Sequence, residues 1–260
     1  MRSHNGLFVM GDHYGLFLWN PSINKVKGIE EPDFPSHWRG QATGCGVGFC
    51  KKDEEDLKVV SFGVPLPGHN YVPLVQESVV SIYSMSTDSW KTIQGIYIPG
   101  DSSNNSEVTL DGVPHWIARS WEENGIFMSF NFDKEEFGQV MLPIPIASQV
   151  LGIYKGLLSI FWCSKVYSRA EGSGADYEMW VLSGYGGEQI WTKLFFFQQT
   201  VCGLPICMGY NGDVLLSKAD NGKICTLNDT GEVLLIPYEL SVHTLGHQNF
   251  PMPVGPTVNS

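Results

Sequence analysis

Cys45 and Cys50 are separated by four residues, and so are Cys202 and Cys207. That spacing lies at the permissive edge of what a structural zinc site uses on tight turns. Cys207, however, sits between Ile206 and Met208 in an apolar stretch. There a free cysteine is expected to act as a small buried hydrophobe. The seven histidines (His4, His13, His37, His69, His115, His243 and His247) are scattered and include no H-E-x-x-H spacing. His115 stands beside Trp116 and reads as a packed structural histidine. Neither a metal nor another cofactor is expected.

Nucleophilic and acid–base chemistry fare no better. No G-x-S-x-G elbow accompanies the serines. The acid pairs Glu122-Glu123 and Glu135-Glu136 fall in or beside turns. Adjacent carboxylates there point apart, and a glycan hydrolase needs two that converge from different parts of the chain. Gly44-Cys45-Gly46-Val47-Gly48 is glycine-rich but leads into Phe49-Cys50 and a charged hairpin. A phosphate cradle would need a helix N-terminus there. The reading is therefore non-catalytic, with a glycan hydrolase as the alternative from another class.

Charge and composition narrow the partners. A net charge of -11 opposes binding to nucleic acid, which requires a positive footprint. The run Lys51 to Asp56 changes sign within six positions and reads as a solvated hairpin tip. No apolar stretch approaches the roughly 18 residues of a membrane span, and Leu157 to Cys163 is strand-sized. Met1 to Gly6 lacks the apolar stretch of a secretory leader. The expectation is a soluble cytoplasmic or nuclear protein with reduced thiols, touching neither nucleic acid nor membrane. The sequons at Asn104 and Asn228 then read as chance matches.

The elements that would position any site are strands. One phrase recurs: LFLWNPSINKVKGI (Leu16 to Ile29), VSIYSMSTDSW (Val80 to Trp90), IFMSFNFDKEEFGQV (Ile126 to Val140), YEMWVLSGYGGEQIWTKL (Tyr177 to Leu194) and KICTLNDTGEVLLI (Lys223 to Ile236). Each is an apolar strand, a polar turn and a return strand. A second phrase interleaves with it, a turn glycine before a short apolar strand, at Gly6, Gly112, Gly156 and Gly212. These glycines suit hairpin turns that demand positive φ. Alternating the two phrases gives about four strands per unit and a unit every 45 to 60 residues or so, the period of a β-propeller blade. The fold class is thus all-β, a propeller of kelch-like four-stranded blades, about five recognisable. The ring is expected to be incomplete or open, with terminal strands missing. Trp90, Trp116, Trp180 and Trp191 recur at equivalent places and read as packing between blades.

Several of these strings also resemble one family. They are Asn5-Gly6-Leu7, Leu18-Trp19-Asn20-Pro21-Ser22, Leu57-Lys58-Val59-Val60 and Ile82 to Trp90, then Leu110 to Trp116, Ser129-Phe130-Asn131-Phe132-Asp133, Trp191 to Phe195 and Asn211 to Leu216. In this order they resemble the plant F-box associated β-propeller, type 1, over about residues 4 to 236. The resemblance implies a substrate-recognition module of a cullin-based ubiquitin ligase, whose partner is the protein to be ubiquitinated. In that family an F-box helical segment ahead of the propeller binds the ligase adaptor. None is read upstream here, so the chain alone is not expected to bind the adaptor. A decoy that binds targets without marking them, or a degenerate fragment, is the corresponding alternative.

Residues 4–242 are assigned to the propeller and 243–260 to a tail bearing Pro251, Pro253 and Pro256. Longer connections carry recognition in such folds. Their exposed aromatics and arginines are the candidate protein-binding residues: Trp38, Arg39, His69, Tyr71, Trp121, Tyr167 and Arg169.

Overall fold

The computed structural model describes residues 2–4, 7–12, 15–30, 32, 43–50, 53–63, 79–101, 107–120, 125–145, 148–164, 175–184, 188–199, 203–209, 212–218, 224–228 and 231–235. They build five antiparallel sheets, each a run of consecutive strands. The first sheet holds β1 (Arg2–His4), β2 (Leu7–Asp12), β3 (Gly15–Asn20) and β4 (Lys25–Ile29). The second holds β5 (Thr43–Cys50), β6 (Asp53–Gly63), β7 (Val79–Ser84) and β8 (Ser89–Gln94). The third holds β10 (Glu107–Leu110), β11 (Val113–Ser120), β12 (Gly125–Asn131) and β13 (Glu136–Met141), with the short β9 (Gly100–Asp101) paired to the end of β11. β14 (Ser148–Tyr154), β15 (Leu157–Cys163), β16 (Ala175–Ser183) and β17 (Ile190–Gln199) make the fourth. β18 (Gly203–Met208), β19 (Val214–Lys218), β20 (Ile224–Leu227) and β21 (Val233–Leu235) make the fifth. This is a five-bladed β-propeller. The first and fifth sheets each carry four strands, so the terminal blades are not short of strands as the sequence reading expected. No helix among the described residues is long and apolar enough to cross a membrane.

The recurring phrase is the hairpin joining the third and fourth strands of each blade. Its turn ends on a left-handed residue at Asn24, Asp88 and Glu135, with φ of 48°, 51° and 56°. An asparagine at the end of the third strand caps this turn in the first and third blades, and Asn228 Oδ1 accepts the Glu232 amide at 2.8 Å in the fifth. Asn20 Oδ1 accepts from the Ser22 amide, and Asn131 Oδ1 accepts from those of Asp133 and Lys134. The second blade has Ser84 in that place, and its hydroxyl meets Asp56 and Ser86 Oγ and not the turn's backbone. Asp56 reaches across from β6 instead. Its Oδ1 accepts from the Ser86 amide at 2.9 Å, while Oδ2 takes Ser84 Oγ at 2.5 Å and Lys58 Nζ at 2.6 Å. The charge run does form a hairpin, since Cys50 pairs with Asp53, but Asp56 is 5% exposed rather than solvated. Burial raises its pKa, and the bonds from Lys58, Ser84 and Ser86 overcome that and hold it at about 2.

Side chains alternate along each strand, so each sheet offers one apolar face to the blade before it and one to the blade after. Four buried clusters result. Val9, Leu18 and Ile29 meet Val47, Val59 and Tyr83 between the first and second blades. Phe62 and Ile82 meet Trp116, Met128 and Phe130 between the second and third. Ile117 and Phe127 meet Leu158, Ile160 and Leu182 between the third and fourth. Phe161, Tyr177 and Met179 meet Val214, Leu216 and Cys225 between the fourth and fifth.

A polar aromatic side chain ties each of these four wedges to backbone of the neighbouring blade. Trp90 Nε1 donates to the Glu30 carbonyl at 2.7 Å, Trp116 Nε1 to Cys45 at 2.9 Å and Trp191 Nε1 to Met141 at 2.9 Å. Tyr177 donates its hydroxyl to the Gly203 carbonyl at 2.9 Å, and the hydroxyl oxygen accepts the Gly203 amide at 2.8 Å. Trp180 departs from the expected packing between blades. Its indole donates to Glu178 of its own strand, and Lys193 lies over its ring.

The glycine-rich stretch is the innermost strand β5, where it runs against the third blade. A Cβ on Gly48 would lie 2.0 Å from the Gly112 carbonyl oxygen, and one on Gly46 would lie 2.3 Å from the Trp116 ring. That closeness lets the Phe49 amide bond the Gly112 carbonyl at 3.1 Å. Cys207 is exposed rather than buried. The register of β18 shifts between Pro205 and Cys207, which pairs Cys207 with Leu215 on the face away from the fourth blade.

Candidate recognition surface

Strand direction alternates within a blade, so its connections sort onto two ends. First-to-second and third-to-fourth connections leave at one end. Second-to-third connections and the crossings to the next blade leave at the other. The first end is built from tight turns such as 21–24, 85–88, 111–112, 132–135 and 155–156. At Asp111-Gly112 and Lys155-Gly156 both turn residues have positive φ, of 50° and 76° and of 50° and 79°. The second end receives every long stretch: 30–42, 64–78, 95–106 and 165–174.

All seven candidate binding residues belong to that second end by their place in the chain. Trp38 and Arg39 lie between β4 and β5, His69 and Tyr71 between β6 and β7, Trp121 between β11 and β12, and Tyr167 and Arg169 between β15 and β16. All seven fall outside the described residues. The structure supplies their footing. The Ser164 amide donates to the Asp176 carbonyl at 2.9 Å and Ser164 Oγ accepts the Asp176 amide at 3.0 Å, which clamps the mouth of the 165–174 stretch. Gln198 Nε2 donates to the Asp176 carboxylate at 3.0 Å. The Leu142 amide bonds the Gly125 carbonyl at 3.0 Å, and β9 pairs with Arg119 and Ser120, so both flanks of 121–124 are held.

Sequence reasoning missed further side chains at this end. Tyr97 is 52% exposed in the crossing from the second to the third blade. Arg119 is exposed near the end of β11, as is Met141 at the end of β13. Phe196 is exposed near the end of β17, with Lys193 over its ring at 5.9 Å. Lys193 also pairs with Glu178 at 2.7 Å. The period-two alternation marks these positions as outward-facing, but not whether a neighbouring blade covers them.

The chemistry available elsewhere is sparse. The innermost strands β1, β5, β10, β14 and β18 carry one carboxylate between them, Glu107, and its Oε1 accepts the Val47 amide at 3.1 Å. No two carboxylates therefore converge from these strands. Among the described residues no group of three or more His, Cys, Asp or Glu side chains could hold a metal. A cavity of about 280 Å³ opens at the tight-turn end between the third and fourth blades, lined by Leu110, Asp111, Val113, Leu157, Leu158 and Leu182. Its lining side chains are apolar apart from the Asp111 carboxylate, and no second ionisable side chain among the described residues lines it. His115 is fully buried. That burial lowers its pKa to about 4, against the pull of hydrogen bonds to the backbone at Val113 and Val108.

Comparison with known proteins matches residues 3–248 to the F-box associated beta propeller domain. The chain is 25% identical over 189 residues to the F-box/kelch-repeat protein At3g23880 of Arabidopsis thaliana, covering 69% of this chain and 46% of that one. It is 28% identical over 187 residues to the Arabidopsis F-box protein At2g07140, covering 68% and 44%. To the Arabidopsis F-box/WD-40 repeat-containing protein 1 it is 27% identical over 209 residues, covering 74% and 47%. The chain thus spans about half the length of these relatives. Among solved structures, virginiamycin B lyase from Staphylococcus aureus aligns with a TM-score of 0.49 at 11% identity, over 92% of this chain and 69% of the lyase. That likeness carries no argument about activity. With its ordered strand phrases, its five blades of mostly four strands and a family match that runs nearly from end to end, the chain belongs to the F-box associated β-propeller family.

Proposed function

We propose that this chain is a protein-recognition module that captures a target protein for a cullin-based ubiquitin ligase, in the cytoplasm or nucleus. The observation that carries the reading is the sorting of connections: those at one end of the blades are six residues or fewer, and every longer one leaves from the other end. A rigid scaffold that concentrates its long connections on one rim is built to bind through them. The aromatic and arginine side chains on those connections are the usual anchors of protein interfaces. The family match supports the same reading, since this domain type accompanies F-box segments in the relatives' names. Attachment to the ligase would rest on an F-box segment, and the propeller is proposed to supply the surface that binds the target.

The test is affinity capture from cell extract with the unaltered chain and three variants. The unaltered chain should retain one or more proteins in stoichiometric amount. Trp38→Ala with Arg39→Ala, or Tyr167→Ala with Arg169→Ala, should lose them, while Leu157→Ala on the tight-turn end should keep them. Retention by the connection variants with loss in Leu157→Ala would move the site to the other end. Turnover of a glycan or ester with no retained protein would replace the reading with an enzyme.

A further inference from the structure

Two of the inner hairpin turns are roofed by a ring from the blade before them. The Phe49 ring lies so close over Gly112 that a Cβ there would come within 2.7 Å of it. The Tyr154 ring covers Gly212 in the same way, at 2.6 Å. Phe49 and Tyr154 stand at or next to the ends of β5 and β14, the first strands of the second and fourth blades. In the third blade the residue in that place is Leu110, at the end of β10, and with Gly156 of the fourth blade it lines the cavity between them. A branched chain thus stands where its counterparts carry a ring, and a Cβ on Gly156 would meet nothing within 4 Å. The cavity is therefore open at the place that a ring fills in the two neighbouring wedges.

Leu158 and Leu182, each 1% exposed, form its base, Leu110 and Val113 are half-buried, and Leu157 is exposed at its mouth. Such walls gain by covering further apolar surface. Asp111 supplies the charge. Its turn holds it at φ 50°, exposed, with no ion pair or hydrogen bond from its carboxylate among the described residues. The cation of the adjoining turn, Lys155, lies on the far side of its blade, over the Tyr154 ring at 4.9 Å. We propose that the cavity binds a small arylalkylamine, with its ring among Leu110, Leu158 and Leu182 and its ammonium group paired with the Asp111 carboxylate. About 280 Å³ lies just below the range of sites that enclose drug-sized ligands, which suits one ring and a short chain. The chain's net charge of -11 favours a cation over an anion. This site lies at the end of the blades away from the long connections, so it stands apart from target capture.

Methyl NMR of the full chain, titrated with 2-phenylethylamine, tests this. The methyl signals of Leu157, Leu158 and Leu182 should shift and saturate. The acid of similar shape, 3-phenylpropionate, should bind about tenfold more weakly or worse, because Asp111 repels it. Asp111→Asn leaves an Asn-Gly pair suited to the turn and should weaken the amine by about fivefold. Leu110→Phe supplies the ring from the chain itself. It should abolish the shifts and raise the unfolding temperature by about 2 to 4 °C. No saturable shift, equal affinity for amine and acid, or unchanged affinity in Asp111→Asn would each overturn the proposal. So would a Lys-Phe peptide that binds more tightly than the amine, since the occupant would then be a protein segment.

Discussion

The Asp56 carboxylate accepts the backbone N–H of Ser86 across two strands, supplying from β6 the oxygen that Asn20 and Asn131 supply to their own turns. Removing it strands three donors. Asp56→Ala should lower stability by about 3 kcal/mol, because Lys58 is left without its partner and Ser84 and the Ser86 amide without their acceptor. Asp56→Asn, which keeps an oxygen, should lose about half as much. Urea unfolding monitored by circular dichroism measures both.

Asp56 also sets an acid limit. Its folded pKa of about 2 lies below the ordinary carboxylate value, so its contribution is complete above about pH 5 and fades as pH falls through 4 towards 2. The loss should reach about 2 kcal/mol in the parent protein. It should be missing from the Asp56→Asn variant, whose unfolding midpoint should vary less over the same range.

His115 acts in a higher window. With a folded pKa of about 4, only the unfolded chain takes up the proton between pH 6.5 and 4. Stability contributed by the neutral ring is full above pH 6.5 and declines on acidification, by an amount on the order of 3 kcal/mol. In the folded protein the ring carbon proton of His115 should titrate near pH 4 by NMR. A midpoint near 6.5 would mean that the ring is solvated.

The indole bonds between blades should behave as single hydrogen bonds with a buried acceptor at stake. Trp116→Phe keeps most of the ring packing against Phe62 but removes the indole N–H that the buried Cys45 carbonyl accepts. It should cost about 1 to 3 kcal/mol. Trp191→Phe, at the half-exposed rim, should cost about 1 kcal/mol or less because water can reach the Met141 carbonyl. Thermal unfolding of the two variants side by side gives the order.

Glycine substitutions separate close approach from backbone conformation. Gly48→Ala places a methyl group on the Gly112 carbonyl and should cost about 2 to 3 kcal/mol by forcing the second and third blades apart. Gly95→Ala meets nothing within 4 Å and carries only the strain of a φ of 73°. It should cost about 1 kcal/mol. Equal effects would show that the inner strands are not in contact at Gly48.

Much of this architecture was legible in the sequence because strand and turn signals are local. The hairpin phrases at Leu16, Val80, Ile126, Tyr177 and Lys223 each became the third-to-fourth hairpin of a blade. Gly112, Gly156 and Gly212 do adopt positive φ. Partnership across blades was less legible. Asp56 looked solvated because its charged neighbours suggested a tip, and its acceptor role depends on Ser84 and Ser86 of another strand, which no local signal places beside it. Trp180 looked like Trp191, but the two residues point into different surroundings on neighbouring strands. For the candidate binding residues, the described strands fix only where their connections begin and end, and residue type alone does not say which of them touches a partner.

Because each blade is a single run of consecutive strands, no strand among the described residues is shared between the first and last blades. Under mechanical load the molecule should come apart as successive modules, peeling from whichever terminus is pulled. In an optical trap it would give a staircase of similar extensions in place of one rupture. The same modularity means that the unfoldase of a degradation machine engaging one terminus would meet a series of small barriers.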